Sequence, residues 1–111
     1  MRITEDKFYI LIFVVNYMVG STKTHKMYLI QLTGRLHGVG FRYAVAQYAN
    51  VHNFVGIVRN IHDGVEIIIN DKDFLKHFDS ALMSRVETQN IEESNIVGAK
   101  YKDFRIVESR Y

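Results

Sequence analysis

The chain has 111 residues, no cysteine, no proline and a formal net charge of +2. That length makes one small domain able to bury about two-thirds of its unfolded surface, and 48% hydrophobic against 23% charged residues is a globular rather than a disordered composition. Scattered Lys and Arg with no basic run argue against a nucleic-acid surface but suit an anionic substrate, and the lack of cysteine excludes disulfides, thiolate metal sites and cysteine nucleophiles.

Phe8 to Val19 form a nearly unbroken apolar run. As a helix it would reach only about 18 Å against a hydrocarbon core of roughly 30 Å, so it gives no stable membrane span. The first expectation is an extra strand or helix packing on the domain. The alternatives are a secretory signal or membrane-surface anchor, with small residues at Gly20 and Ser21 after the run, and a true start at Met27. Glu5 and Asp6 beside Arg2 and Lys7 leave no clear positive excess ahead of the run, which weighs against a signal. Ser21 to Lys26 is polar and turn-like, so residues 1–26 are predicted as an apolar extension with a linker and residues 27–111 as the domain proper.

Tyr28, Ile30 and Leu32 alternate with Leu29, Gln31 and Thr33, which predicts a first strand buried on the Tyr28 side. A glycine-punctuated stretch, Gly34 to Gly40, leads into a helix with Phe41, Val45, Ala49 and neighbouring Tyr48 on one stripe. Gly56 to Ile61 and Val65 to Asn70 read as two strands joined by a tight Asp63-Gly64 turn, with Val65, Ile67 and Ile69 on one face. Asp71 or Asp73 caps a second helix in which Phe74, Phe78 and Leu82 fall at i, i+4 and i+8. Asn90 to Ser94 reads as a polar connection, and Asn95 to Val107 supplies the last strand. The order strand, helix, strand, strand, helix, strand predicts an α+β, ferredoxin-like split βαβ sandwich: an antiparallel sheet with two helices on one face.

The glycine stretch carries the chemistry. Gly34, Gly38 and Gly40 let the backbone curl and aim several N–H groups at one spot. The first N–H groups of the following helix lack intrahelical partners and carry partial positive charge. Arg42 adds a planar fork of donors, and the sum is a cradle for a phosphate-sized anion. It is neither a Walker loop nor a dinucleotide fingerprint, because the required spacings are absent. Taken alone, Arg42 also reads as a solvated arginine on a first helical turn, and Asn60 as a residue opening a turn. Asn60 equally offers an amide able to hold a water in a fixed direction. Arg59 points to the opposite face of its strand and reads as a structural or surface charge. His25, His37, His52, His62 and His77 show no paired metal-ligand spacing, and no serine-nucleophile turn is present.

Gly34 to Tyr43 followed by Gly56 to Glu66, and more loosely Asn95 to Val107, resembles the acylphosphatase family over roughly Met27 onward. The resemblance implies the ferredoxin-like fold and hydrolysis of an acyl phosphate to a carboxylate and inorganic phosphate, with no metal and no cofactor. It implies Arg42 and Asn60 as the catalytic pair: Arg42 clamps the phosphoryl group and Asn60 orients the attacking water. The phosphate-binding loop would be Leu36, His37, Gly38, Val39, Gly40 and Phe41, acting through backbone N–H groups. The family has glutamine or histidine at the His37 position, so no required imidazole is implied, and His62 is expected to be a turn residue. The substrate's own phosphate then accepts the proton of the water.

Two other readings share these residues. One is a non-catalytic phosphate-binding module, which has no need of Asn60. The other is the acylphosphatase-like module at the front of hydrogenase-maturation carbamoyltransferases, acting on carbamoyl phosphate, although the zinc-finger sequence that normally follows is absent. The expected partner is a small-molecule acyl phosphate, with no nucleic acid. The expected state is a cytoplasmic monomer, with export, or dimerisation through the apolar run, as alternatives. The run and the long apolar strands are an aggregation hazard if left unpaired.

Overall fold

The structure, a computed structural model, describes residues 24–97 and 101–111. The predicted extension, apart from its last residues, lies outside them. The strands are β1 (Thr24–Gly34), β2 (Gly56–Ile61), β3 (Gly64–Ile69), β4 (Val86–Val97) and β5 (Phe104–Ile106). Helix α1 spans Phe41–Val51, a 3₁₀ turn spans Phe74–His77, and a short helix α2 spans Ser80–Met83. The sheet order is β4-β1-β3-β2-β5. Neighbours among the first four strands in that order are antiparallel, which is the predicted split βαβ sheet. The fifth strand pairs parallel to β2, so the whole sheet is mixed.

Alternation along the strands builds one core. Ile30 and Leu32 of β1, Val58 of β2, and Val65, Ile67 and Ile69 of β3 are fully buried with Phe41, Val45 and Ala49 of α1. The stripe on α1 follows its 3.6-residue period. Phe78 touches both Phe41 and Tyr48 edge-on at 5.6 Å, so the second helical segment shares the face covered by α1. The side chain of Asn50 bonds both backbone groups of Phe104, at 3.0 and 3.1 Å, and stands in for a strand neighbour at the free edge of β5.

Four expectations are corrected. The linker expected to end at Lys26 is partly strand, since Thr24, His25 and Lys26 form ladder pairs with Val97, Ile96 and Asn95. The hairpin turn is His62-Asp63, with Gly64 already paired to Ile61. A Cβ on Gly64 would lie 1.8 Å from the Leu32 carbonyl oxygen, so glycine is needed there for close approach of β1, not for the turn. The expected second helix is broken: Phe78 is extended, with ψ 161°, and Asp79 starts a new turn by accepting the Leu82 N–H at 3.1 Å. Asp71 makes a local turn to the Asp73 N–H at 2.7 Å instead of capping a helix. Finally, Asn90 to Ser94 is no connection but the middle of β4, and the strand material after Asn95 divides between β4 and β5. An edge strand with a polar outer surface lacks the apolar alternation by which strands are read.

On the face away from the helices, Met27, Leu29 and Ile68 are buried with Ile57 and Tyr101 beside them. Burial pushes the Tyr101 phenol above its ordinary 10.0, opposed by the Arg59 charge. The unfolded chain therefore releases this proton first as pH rises. The stability linked to it is present below pH 10 and lost as pH climbs through the raised folded value. Lys26, held above 10.5 by its hydrogen bond and ion pair with Glu93, acts in the same direction. Tyr101→Phe removes one of these protons, so its Tm is expected to fall less than that of the unaltered chain between about pH 9 and about pH 11; parallel thermal melts check this.

Candidate active site

The segment between β1 and α1 is shaped by its glycines. Gly38 and Gly40 have φ of 74° and 76°, and a Cβ on either would meet no heavy atom within 4 Å. Space is free at both positions, so it is the left-handed backbone that calls for glycine. Leu36, 2% exposed, anchors the loop in the core, and Val39 packs against the same cluster. Gly40 is the N-cap of α1 and contributes no side-chain cap, while its carbonyl accepts the Ala44 N–H at 3.0 Å. None of the N–H groups of His37 to Phe41 donates a backbone hydrogen bond of ordinary geometry among the described residues. The first turn holds no acidic residue to offset the helix dipole. The loop thus presents a row of N–H groups without backbone acceptors, and Leu36 and Phe41 can offer it backbone only, because their side chains are core.

Arg42 sits half-buried on the first turn of α1, and no ion pair or hydrogen bond occupies it among the described residues. A cation at a helix N-terminus is mildly unfavourable, by roughly 0.3–1 kcal/mol. A phosphate between the guanidinium and the loop N–H groups reverses that sign, because both then attract the same charge.

Asn60 alternates with Val58 on β2, so its side chain faces the helix-covered side. It is 7% exposed, and its Oδ1 is buried with no hydrogen-bond partner. An acceptor left in that condition costs about 1–3 kcal/mol. The backbone around it is held from both sides: Asn60 pairs with Val65 of β3, and its carbonyl accepts the Arg110 N–H at 2.8 Å.

The loop and the hairpin meet at Gly64. His37 Nε2 lies 2.7 Å from the Gly64 carbonyl oxygen, and the Gly34 N–H donates to the Asp63 carbonyl at 3.1 Å. The Tyr111 ring packs edge-on against His37 with centroids 6.0 Å apart. His37 is therefore a tether between the two parts of the site, while His62 is an exposed turn residue as expected. Sequence reasoning missed Arg110 and Tyr111, which carry no pattern of their own, and read Gly64 as turn chemistry alone. It also missed Glu66, whose signal was available as a lone carboxylate within Val65 to Ile69. Glu66 is 1% exposed and accepts from Gln31 at 2.8 Å, from Arg59 Nη2 at 2.9 Å and from Arg110 at 3.4 Å. Arg59 is accordingly structural, on the face opposite Asn60. Among the described residues no group of three or more His, Asp or Glu side chains is placed to hold a metal, and no helix is long and apolar enough to cross a membrane.

Gly40→Ala tests the loop. A side chain at φ 76° costs about 1–2 kcal/mol, so a lowered Tm and weaker inhibition by inorganic phosphate are expected together, in thermal melts and competition assays.

Strand order and helix placement together define a small α+β domain of the ferredoxin-like class. The family model described as acylphosphatase matches residues 28–106, and the chain belongs to the acylphosphatase family, hydrolases of acid anhydrides. An acylphosphatase from Treponema denticola is 46% identical over 80 residues, 66% of this chain and 83% of that protein. One from Staphylococcus haemolyticus is 35% identical over 85 residues, covering 70% of this chain and 94% of the relative. The crystal structure of acylphosphatase from Bacillus subtilis matches 74% of this chain and 98% of its own, with TM-score 0.58 and 32% identity. Full-length HypF in its phosphate- and nucleotide-bound form matches 79% of this chain with TM-score 0.59 and 25% identity, but this chain corresponds to only 12% of it.

Proposed function

We propose that this chain hydrolyses acyl phosphates at the site formed by the Leu36–Phe41 loop, Arg42 and Asn60, without a metal. The phosphoryl oxygens lie on the loop N–H groups and the Arg42 fork. The Asn60 amide holds a water, Oδ1 accepting one of its protons, in line with the bond to be broken. The water oxygen bonds to phosphorus, the bond from phosphorus to the acyl oxygen breaks, and the carboxylate departs with the bonding pair. The proton of the water passes to a phosphate oxygen of the substrate. A carboxylate leaves readily, so positioning and charge stabilisation supply most of the acceleration.

The observation that carries this reading is the buried, unpartnered Oδ1 of Asn60 beside a loop of unspent donors. Such an atom is costly for folding and useful for orienting a water. A pure anion binder would have no need of it. The catalytic unit is taken as residues 27–111, with Thr24 to Lys26 added to its first strand and the preceding residues as an extension. A cytoplasmic monomer belongs to the same reading, and light scattering with cell fractionation tests it. The enzymatic claim is tested by hydrolysis of an aryl acyl phosphate with EDTA present. Turnover that EDTA leaves intact is expected, whereas a folded protein that binds phosphate without turnover would make it a binding module.

A further inference from the structure

Strand β5 covers only part of β2. Its residues pair with Gly56, Ile57 and Val58, so Asn60 lies beyond its end and close to the His62-Asp63 turn. The chain after β5 continues along β2 from there. The Val107 N–H donates to the Val58 carbonyl at 2.9 Å, and the next bond runs from the Arg110 N–H to the Asn60 carbonyl at 2.8 Å. Unbroken parallel pairing would give that second bond to Ser109. One extra residue is therefore taken up between Val107 and Arg110, and a bulge of this kind bends a strand and re-aims a side chain.

The side chain so aimed is that of Arg110, whose Nη2 lies 3.4 and 3.5 Å from the two carboxylate oxygens of Glu66. Glu66 is a fixed point: it is 1% exposed, with Gln31 Nε2 at 2.8 Å on one oxygen and the Arg59 fork at 2.9 and 3.0 Å on the other. Arg59 already balances the buried charge, so a second arginine on the same carboxylate is surplus to neutralising it. What Arg110 adds is a link. Its main chain holds the Asn60 carbonyl while its side chain holds a buried group on the opposite face of the sheet. The link matters because the Asn60 Oδ1 has no hydrogen bond of its own to set its direction. Its aim follows from the strand that carries it, and a strand end beside a turn is where pairing opens most easily.

Given the catalytic reading of Asn60, on which this rests, we infer that Arg110 and Glu66 are positioning residues for the hydrolysis. They act on the held water through the Asn60 backbone and touch no substrate.

Arg110→Met keeps the stem and removes the fork. Its kcat for an aryl acyl phosphate is expected to fall about 10- to 100-fold, the scale of a small misplacement near the reacting atoms. Inhibition by inorganic phosphate should change by less than about twofold, because Arg42 and the loop are left intact. A role in the fold alone would also lower kcat, so the decisive readout is coupling to Asn60. In an Asn60→Ala background, Arg110→Met is expected to change kcat by less than about twofold, since no amide is left to aim. Glu66→Gln should match Arg110→Met, and the two combined should be no slower than either. An equal fall from Arg110→Met with and without Asn60 overturns the positioning role alone. So does an unchanged kcat in the single variant, or a phosphate inhibition constant that rises as much as kcat falls. No turnover by the unaltered chain, or full turnover in Asn60→Ala, would instead overturn the catalytic reading and this assignment with it. Should Glu66→Gln fail to fold, with two arginines left around an uncharged amide, the cycle between Arg110 and Asn60 decides by itself.

Discussion

Asn60→Ala is expected to lose on the order of 10²–10³ in kcat, comparable to deleting one preorganised donor from an oxyanion site, while folding as well as the unaltered chain or better. The combination is the informative part. Asn60 is buried and its Oδ1 has no partner, so removing it relieves a desolvation cost instead of breaking a bond. Only water positioning is lost, so inorganic phosphate should still inhibit at nearly its original concentration. Steady-state kinetics, phosphate inhibition and a thermal melt on one preparation check all three. A parallel loss of Tm and activity would make Asn60 a residue of the fold instead.

Arg42→Ala should fail in a different way. The guanidinium has no competing partner among the described residues, and a bidentate contact to a phosphoryl group combines two charge-assisted hydrogen bonds, each about 1.5–3 kcal/mol. Losing both predicts a fall of about 10²–10⁴ in kcat/KM together with a large rise in the phosphate inhibition constant. Arg42→Lys should recover little, because a point charge on a flexible stem does not reproduce the planar fork. Stability should rise slightly in Arg42→Ala as phosphate is withdrawn, relative to the unaltered chain, because the arginine then sits unopposed against the positive end of α1, whereas Arg42→Lys keeps that charge and should gain nothing. Kinetics at several phosphate concentrations, with melts in parallel, separate these effects. Phosphate inhibition unchanged in Arg42→Ala would remove Arg42 from the anion cradle.

How much of this was legible follows from where each residue's reason lies. Gly38 and Gly40 were legible because their requirement is local: a left-handed backbone ahead of a helix. Val45 and Ala49 were legible because α1 buries a single stripe. Strand β4 was not, because it lies at the sheet edge and its middle, Asn90 to Ser94, reads as polar loop; its pairing with β1 is a tertiary fact. The second helix was misread because Phe74, Phe78 and Leu82 keep helical spacing, while Asp79 captures the Leu82 N–H and breaks the segment after Phe78. Gly64 looked like turn chemistry, yet its reason is the Leu32 carbonyl on a strand far away in sequence. In the site itself, Arg42 and Asn60 came from motif and resemblance. The tether from His37 to Gly64 and the support of Asn60 by Arg110 depend on strands meeting, which no local pattern encodes.

The most direct test of a water held by Asn60 attacking phosphorus is hydrolysis of an aryl acyl phosphate in ¹⁸O-enriched water with EDTA present. The account predicts one solvent oxygen in the inorganic phosphate and none in the carboxylate, with label appearing far more slowly for Asn60→Ala. Solvent oxygen in the carboxylate would place the attack on the acyl carbon and contradict it.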